Sequence, residues 1–158
     1  MIKKILAAGA LAASAAFLVP QASAQTFSPS GAFTLTNIGT ITVSKGITLS
    51  CSLSGGGTVS GGAASVSSIT LSGGLCSSVT FTGAPYTVTS GSLTSITLNG
   101  VIVTGITGNC AGSLTGAYNQ STGVITYTNA TIPKTSGIGD CKVTGKVQVS
   151  PKVTFTIP

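Results

Sequence analysis

Two stretches of this chain repeat one plan, and a polypeptide built that way has few folds open to it. The first runs from Ile41 to Cys76 (ITVSKGITLSCSLSGGG…ITLSGGLC) and the second from Ile96 to Cys141 (ITLNGVIVTGITGNCAGSLTG…IPKTSGIGDC). Each reads as a strand, a glycine-containing turn, a second strand, a cysteine, a Gly/Ser-rich excursion, a further strand and a glycine-rich approach to another cysteine. Apolar residues recur at alternate positions, as in Ile47, Leu49, Cys51 and Leu53, or Cys141, Val143, Val147 and Val149. That is the period of a strand with one buried face, and it turns Cys51 and Cys141 inward with the core. No segment after residue 24 sustains the 3.6-residue apolar period of a helix. The expectation is an all-β fold, an antiparallel β-sandwich with Greek-key or jelly-roll connections and two disulfides.

The segment before the repeats decides the compartment, and the compartment decides the cysteine chemistry. Lys3 and Lys4 precede an apolar run from Ile5 to Val19, then Pro20 and the small residues Ala22-Ser23-Ala24. This is the three-part plan of a secretory signal peptide, so residues 1–24 are expected to be removed on export through the Sec pathway. The apolar run is too short for a membrane anchor. Residues 25–158 are then expected to form one secreted β-domain with no transmembrane segment. Strands this short, without aromatic girdles, argue against a membrane barrel. Four cysteines in an oxidising compartment are expected to pair. They allow three connectivities; Cys51 with Cys76 and Cys110 with Cys141 is favoured because each pair then closes within one repeat. Zinc is a poor alternative, since there is no CxxC and no His.

Local signals mark the path of the chain. Pro29 confines the first part of Thr26 to Asn37 to an edge or a non-paired extension. Ser44-Lys45-Gly46 and Asn119 to Gly123 read as turns. Asn99-Gly100, between Ile96-Thr97-Leu98 and Val101-Ile102-Val103, is the preferred filling of a tight hairpin turn. Gly55 to Ala64 (GGGTVSGGAA) has little to pack and reads as a flexible loop or weak edge. Asn129 to Pro133 reads as a further short strand.

Charged residues make up only 5% of the chain, and His, Glu, Arg and Trp are absent. Asp140 is the sole carboxylate side chain. Paired-carboxylate hydrolysis, a His-based triad and a carboxylate metal cage are therefore excluded by inventory, and no spacing singles out a Ser/Lys pair. The chain reads as a non-enzyme without cofactor. Lys45, Lys134, Lys142, Lys146 and Lys152 are thinly spread, unlike the clustered cations that hold nucleic acid. Asp140-Cys141-Lys142 reads as the charged flank of a disulfide rather than a reactive thiol. The repeated Thr-x-Thr pairs are what β propensity places on outward faces, and their irregular intervals do not make an ice-binding array.

Low surface charge leaves sheet edges poorly protected against pairing with other copies. Val153, Phe155 and Ile157 form a terminal alternating strand, and Phe27 and Phe33 lie in the opposite terminal segment. Either segment is a candidate for strand donation to a neighbouring copy, giving a homopolymer.

The leader ending Ala-Ser-Ala, TFSPSGAFTLTN, ITVSKGITLSC, GGLCSS, APYTV (Ala84 to Val88), SITLNGVIV, Cys110 and the final Cys141-Lys-Val-Thr-Gly strand together resemble the PraA/PraB proteins, secreted activators of alkane oxidation. The resemblance implies a non-catalytic extracellular or cell-surface protein of a Gram-negative bacterium that aids growth on hydrocarbons. Its partner would be an alkane or other apolar phase, met at the oil–water interface. The alternatives are a self-assembling fibre or biofilm matrix subunit and a sandwich with a cavity for a hydrophobic ligand.

Overall fold

The computed structural model describes residues 25–158; the expected signal peptide lies outside them. In chain order the strands are β1 (Thr26–Ser28), β2 (Gly31–Lys45), β3 (Ile47–Ser60), β4 (Ala63–Ser72), β5 (Thr80–Thr82), β6 (Tyr86–Thr89), β7 (Ser95–Gly105), β8 (Gly108–Asn119), β9 (Val124–Ile132), β10 (Cys141–Ser150) and β11 (Thr154–Thr156), with one 3-10 turn at Gly74–Ser78. All pairings are antiparallel.

Strands β2 to β10 form a sheet of nine that closes on itself, because β10 pairs with β2 and β3 pairs with β4. β5 and β6 stand end to end between β4 and β7 and share one position in the wall. Around the ring the strands follow chain order. The all-β antiparallel architecture and both disulfides agree with the sequence reading, but the Greek-key connections give way to an up-and-down meander. A ring of this size is just wide enough for side chains to fill it. Leu35, Ile41, Val66, Leu71, Leu98, Val101, Leu114 and Val147, among others, are buried inside. The apolar cavity among these side chains is about 50 Å³, against roughly 150 Å³ for a cavity that takes up benzene. The interior is a packed core.

Three local readings change. Asn99-Gly100 is no hairpin turn: β7 runs straight through it with a bulge, two residues lying between Leu98 and Val101 opposite one between Leu114 and Gly112. Gly100 takes φ 73°, the conformation that such a bulge needs and that glycine adopts without strain. Asn99 joins three strands, its Nδ2 donating to Thr87 O (3.1 Å) and Thr89 Oγ1 (2.9 Å) and its Oδ1 accepting from Ser113 Oγ (3.1 Å).

Gly55 to Ala64 is no loop either: it is the end of β3, a tight turn at Gly61-Gly62 and the start of β4. The bare backbone makes room for a core ring, since a Cβ on Gly57 would lie 2.5 Å from Cζ of Phe33 and 2.1 Å from Ser65 O. Asn129 to Pro133 is not a separate strand; residues to Ile132 continue β9, with Asn129 at φ 47° where the pairing to β10 shifts.

Candidate functional site

The meander gives the barrel two ends of different composition. One end collects the β3–β4, β6–β7 and β8–β9 connections together with β1 and β11; here it is called the ribbon end. The other collects the β2–β3, β4–β5, β7–β8 and β9–β10 connections and is called the loop end.

At the ribbon end β1 pairs with β11, Phe27 opposite Phe155, as a separate two-stranded sheet. The rings of Phe27 and Phe155 are 5.2 Å apart and those of Phe155 and Tyr118 5.8 Å apart. The ribbon is tied to the barrel rim by Phe27 N–H to Gly62 O (2.8 Å), Phe155 N–H to Gln120 Oε1 (2.8 Å), Tyr118 Oη–H to Val153 O, and a two-way bond between the Gln25 amide and the Ser90 backbone. Burial pushes the Tyr118 phenol above its usual range, and the bond to Val153 O offsets part of that rise. Of the candidate donation residues, Phe27, Phe33, Val153 and Phe155 are buried at this end within one chain, and Ile157 is exposed.

At the loop end the closure is covalent. Cys51 of β3 bonds Cys76 in the 3-10 turn (Cα–Cα 5.7 Å), and Cys110 of β8 bonds Cys141 of β10 (Cα–Cα 6.1 Å) past the end of β9. The β9–β10 loop is laced to the β7–β8 turn by Thr135 N–H and Ser136 N–H to Asn109 O (2.9 and 3.2 Å) and by Asn109 N–H to Ser136 Oγ (3.0 Å). Asp140 Oδ1 accepts from Lys134 N–H (3.0 Å), so the sole carboxylate orders this loop. Lys45 is buried, and its Nζ donates to Gly139 O at 2.6 Å, joining the β2–β3 turn to the same loop.

These ties hold apolar side chains outward. Each of the four loop-end connections carries one exposed aliphatic: Ile47 (39% exposed), Leu75 (58%), Ile106 (60%) and Ile138 (84%). Ile47 and Ile106 border a small apolar recess of about 40 Å³ at the mouth. The sequence reading put Ile47 on a core-facing strand register and did not single out the other three. A signal was present, however. Within residues 25–158 the dipeptides Gly-Ile and Gly-Leu occur only at Gly46-Ile47, Gly74-Leu75, Gly105-Ile106 and Gly137-Ile138, one per connection at this end. Glycine permits the tight reversal and the aliphatic follows at its tip.

Among the described residues no group of three or more His, Cys, Asp or Glu side chains could hold a metal, and no cysteine is free. No helix among them is long and apolar enough to cross a membrane.

A family model described as alkane oxidation protein activator PraA/PraB-like matches residues 1–157. Comparison with curated proteins and with solved structures returns no match.

Proposed function

From the premise that the chain belongs to the alkane oxidation protein activator PraA/PraB-like family, we propose that it works by seating the loop end of its barrel on an apolar phase. It is a non-catalytic accessory protein. The finer reading is that it is exported by the Sec pathway of a Gram-negative bacterium and acts outside the cell, at the cell surface or the oil–water interface, to bring cells and hydrocarbon together.

The observation that carries this reading is the outward placement of Ile47, Leu75, Ile106 and Ile138 at one end. Burying a large aliphatic side chain fully is worth about 1.5–3 kcal/mol. Four partly exposed ones, held in fixed positions, together supply several times the thermal energy for adsorption. Little of that is lost to ordering, because the loops are already laced by hydrogen bonds and disulfides. The ribbon end carries only two exposed large aliphatics, Leu93 and Ile157, among glycine and hydroxyl-bearing turns.

The test is growth on a long n-alkane after deletion of the gene from a producing strain, with purified protein added back. Wild-type protein restores the growth rate; a variant with Ile47, Leu75, Ile106 and Ile138 all changed to Ser does not. Equal restoration by both would remove the loop end from the mechanism, and unchanged growth after deletion would remove the hydrocarbon role.

A fibre or biofilm matrix role by strand donation has one structural route. Ring closure leaves no full-length free edge, so exchange of a whole strand would have to run through the β1–β11 ribbon, whose aromatic residues fill the ribbon end of their own chain.

A further inference from the structure

The barrel wall has a seam where β5 and β6 share one position. Chain residues Gly83-Ala84-Pro85 interrupt that position, and β4 pairs with it only at Ala64 to Val66 on one side of the break and at Thr70 on the other. Ser67, Ser68 and Ile69 have no ladder partner on that flank. Ser67 and Ser68 also mark a bulge against β3, where Val66 and Ser68 oppose the successive residues Gly57 and Gly56. The wall is thus open there, and the opening is a groove of about 460 Å³, within the range of ligand-binding pockets.

The groove is two-sided in chemistry. Its floor is apolar, with Ile69, Leu71, Val79 and Phe81. Its lip carries the exposed hydroxyls of Ser67, Ser68, Thr70, Ser77 and Thr80, and no charged side chain lines it. Phe81 is the junction: its half-buried ring lines the groove, the packed interior and the apolar recess at the loop-end mouth. Val79 lines both groove and recess. Phe81 and Val79 therefore stand between the groove and the recess that Ile47 and Ile106 border.

We propose that this groove binds one unbranched alkyl chain bearing an uncharged hydroxyl-type head group, with the chain on the Ile69–Phe81 floor and the head among the lip hydroxyls. An alkyl chain fits because the floor side chains Ile69, Leu71, Val79 and Phe81 are all apolar and offer it no polar partner. The head is uncharged because the lip offers hydrogen bonds and no counter-charge, so an ionised group would lose hydration without a partner. The site does not rest on the seating of the loop end.

The test is calorimetric titration of the full secreted chain with 1-alkanols from hexanol to decanol, with methyl NMR shifts of Ile69 and Leu71 as the local readout. Binding is expected to be saturable at one site and to tighten about fourfold per added methylene, with the largest shifts at those two methyl groups. The alkanoate and alkylammonium of the same length are expected to bind at least tenfold more weakly. Phe81→Trp, which crowds the junction, and Ser68→Trp, on the exposed lip where folding is not at stake, are each expected to weaken decanol at least tenfold.

Non-saturable uptake, shifts elsewhere than at Ile69 and Leu71, or full affinity in Ser68→Trp would overturn the site. Equal binding of the ionised amphiphiles would overturn the head-group assignment. The variant with four loop-end serines separates the two readings: it should lose adsorption to oil yet keep decanol binding. A wild-type protein that binds decanol but adsorbs no better than that variant would sink the seating and leave the groove standing.

Discussion

The two ends of this barrel solve the same problem with opposite means. The ribbon end buries its aromatic side chains: Phe27, Phe155 and Tyr118 stack over the opening and the hydrophobic effect closes it without a covalent bond. The loop end turns Ile47, Leu75, Ile106 and Ile138 into solvent, so their burial cannot contribute to closure, and both disulfides are found there. Where apolar residues are committed to an outside surface, cross-links stand in for the core they would have made.

The largest effect expected from that contrast comes from reduction. The bridges span 25 and 31 residues, and the chain-entropy model assigns about 3–4 kcal/mol to each. Together that is comparable to the whole stability of a typical domain, about 5–15 kcal/mol. Urea unfolding with and without reductant should show a collapse of the midpoint. Native-state hydrogen exchange on partly reduced protein should show Thr135 and Ser136 amides opening before Phe27 and Phe155. Ribbon-end amides opening first would reverse the comparison.

Next is Phe155→Ala, which removes the middle ring of the stack and should cost about 3–5 kcal/mol. A double-mutant cycle with Phe27→Ala should find a coupling of about 0.5–1.5 kcal/mol. Strict additivity would mean that the rings fill space without acting as a stack. Gly57→Ala should cost about 1–3 kcal/mol through overpacking, because the added methyl meets the Phe33 ring and the Ser65 carbonyl. A neutral result would show that Phe33 has room to move.

A smaller, pH-linked effect separates the ends again. Burial raises the phenol of Tyr118, and those of Tyr86 and Tyr127 in the wall, above the ordinary value of 10.0. A group whose folded pKa is raised contributes stability that is complete below its unfolded pKa and is lost as pH rises through the folded one. Stability should therefore fall above about pH 10, and Tyr118→Phe should remove part of that fall. An unchanged alkaline limb in Tyr118→Phe would mean that the ribbon end does not take part.

Much of the architecture was legible in the sequence, because strand period and burial are local facts. Cys141, Val143, Val147 and Val149 share a face and are buried, and the Ser44-Lys45-Gly46 and Asn119 to Gly123 turns are where their residues placed them. Closure into a barrel was not legible: it depends on β10 meeting β2, with partners from Lys142–Ser44 to Ser150–Thr34 that are far apart in the chain, and nothing local in either strand announces the partner. Asn99-Gly100 misled for a related reason. Positive φ at a glycine serves a bulge as well as a turn, and the choice was made by β6 and β8, whose groups Asn99 bonds on both sides. The triglycine at Gly55 to Gly57 looked unstructured because its reasons lie across strands: Gly57 leaves room for the Phe33 ring, and Gly55 for the backbone of Ser68. The loop-end surface was spelled out in the four Gly-aliphatic pairs, but only the fold reveals that they lie at one end.

The claim that the loop end is the working face is tested most directly by adsorption at a hexadecane–water interface, followed by pendant-drop tensiometry. Two variants are compared with wild type: Ile47→Ser, Leu75→Ser, Ile106→Ser and Ile138→Ser combined, and Leu93→Ser with Ile157→Ser, which removes exposed aliphatics at the ribbon end. Each surface change should alter stability by no more than about 0.5 kcal/mol, which thermal melts will verify. The account predicts that the loop-end variant loses most of its ability to lower the interfacial tension while the ribbon-end variant behaves as wild type. Equal loss in both, or none in the loop-end variant, would contradict it.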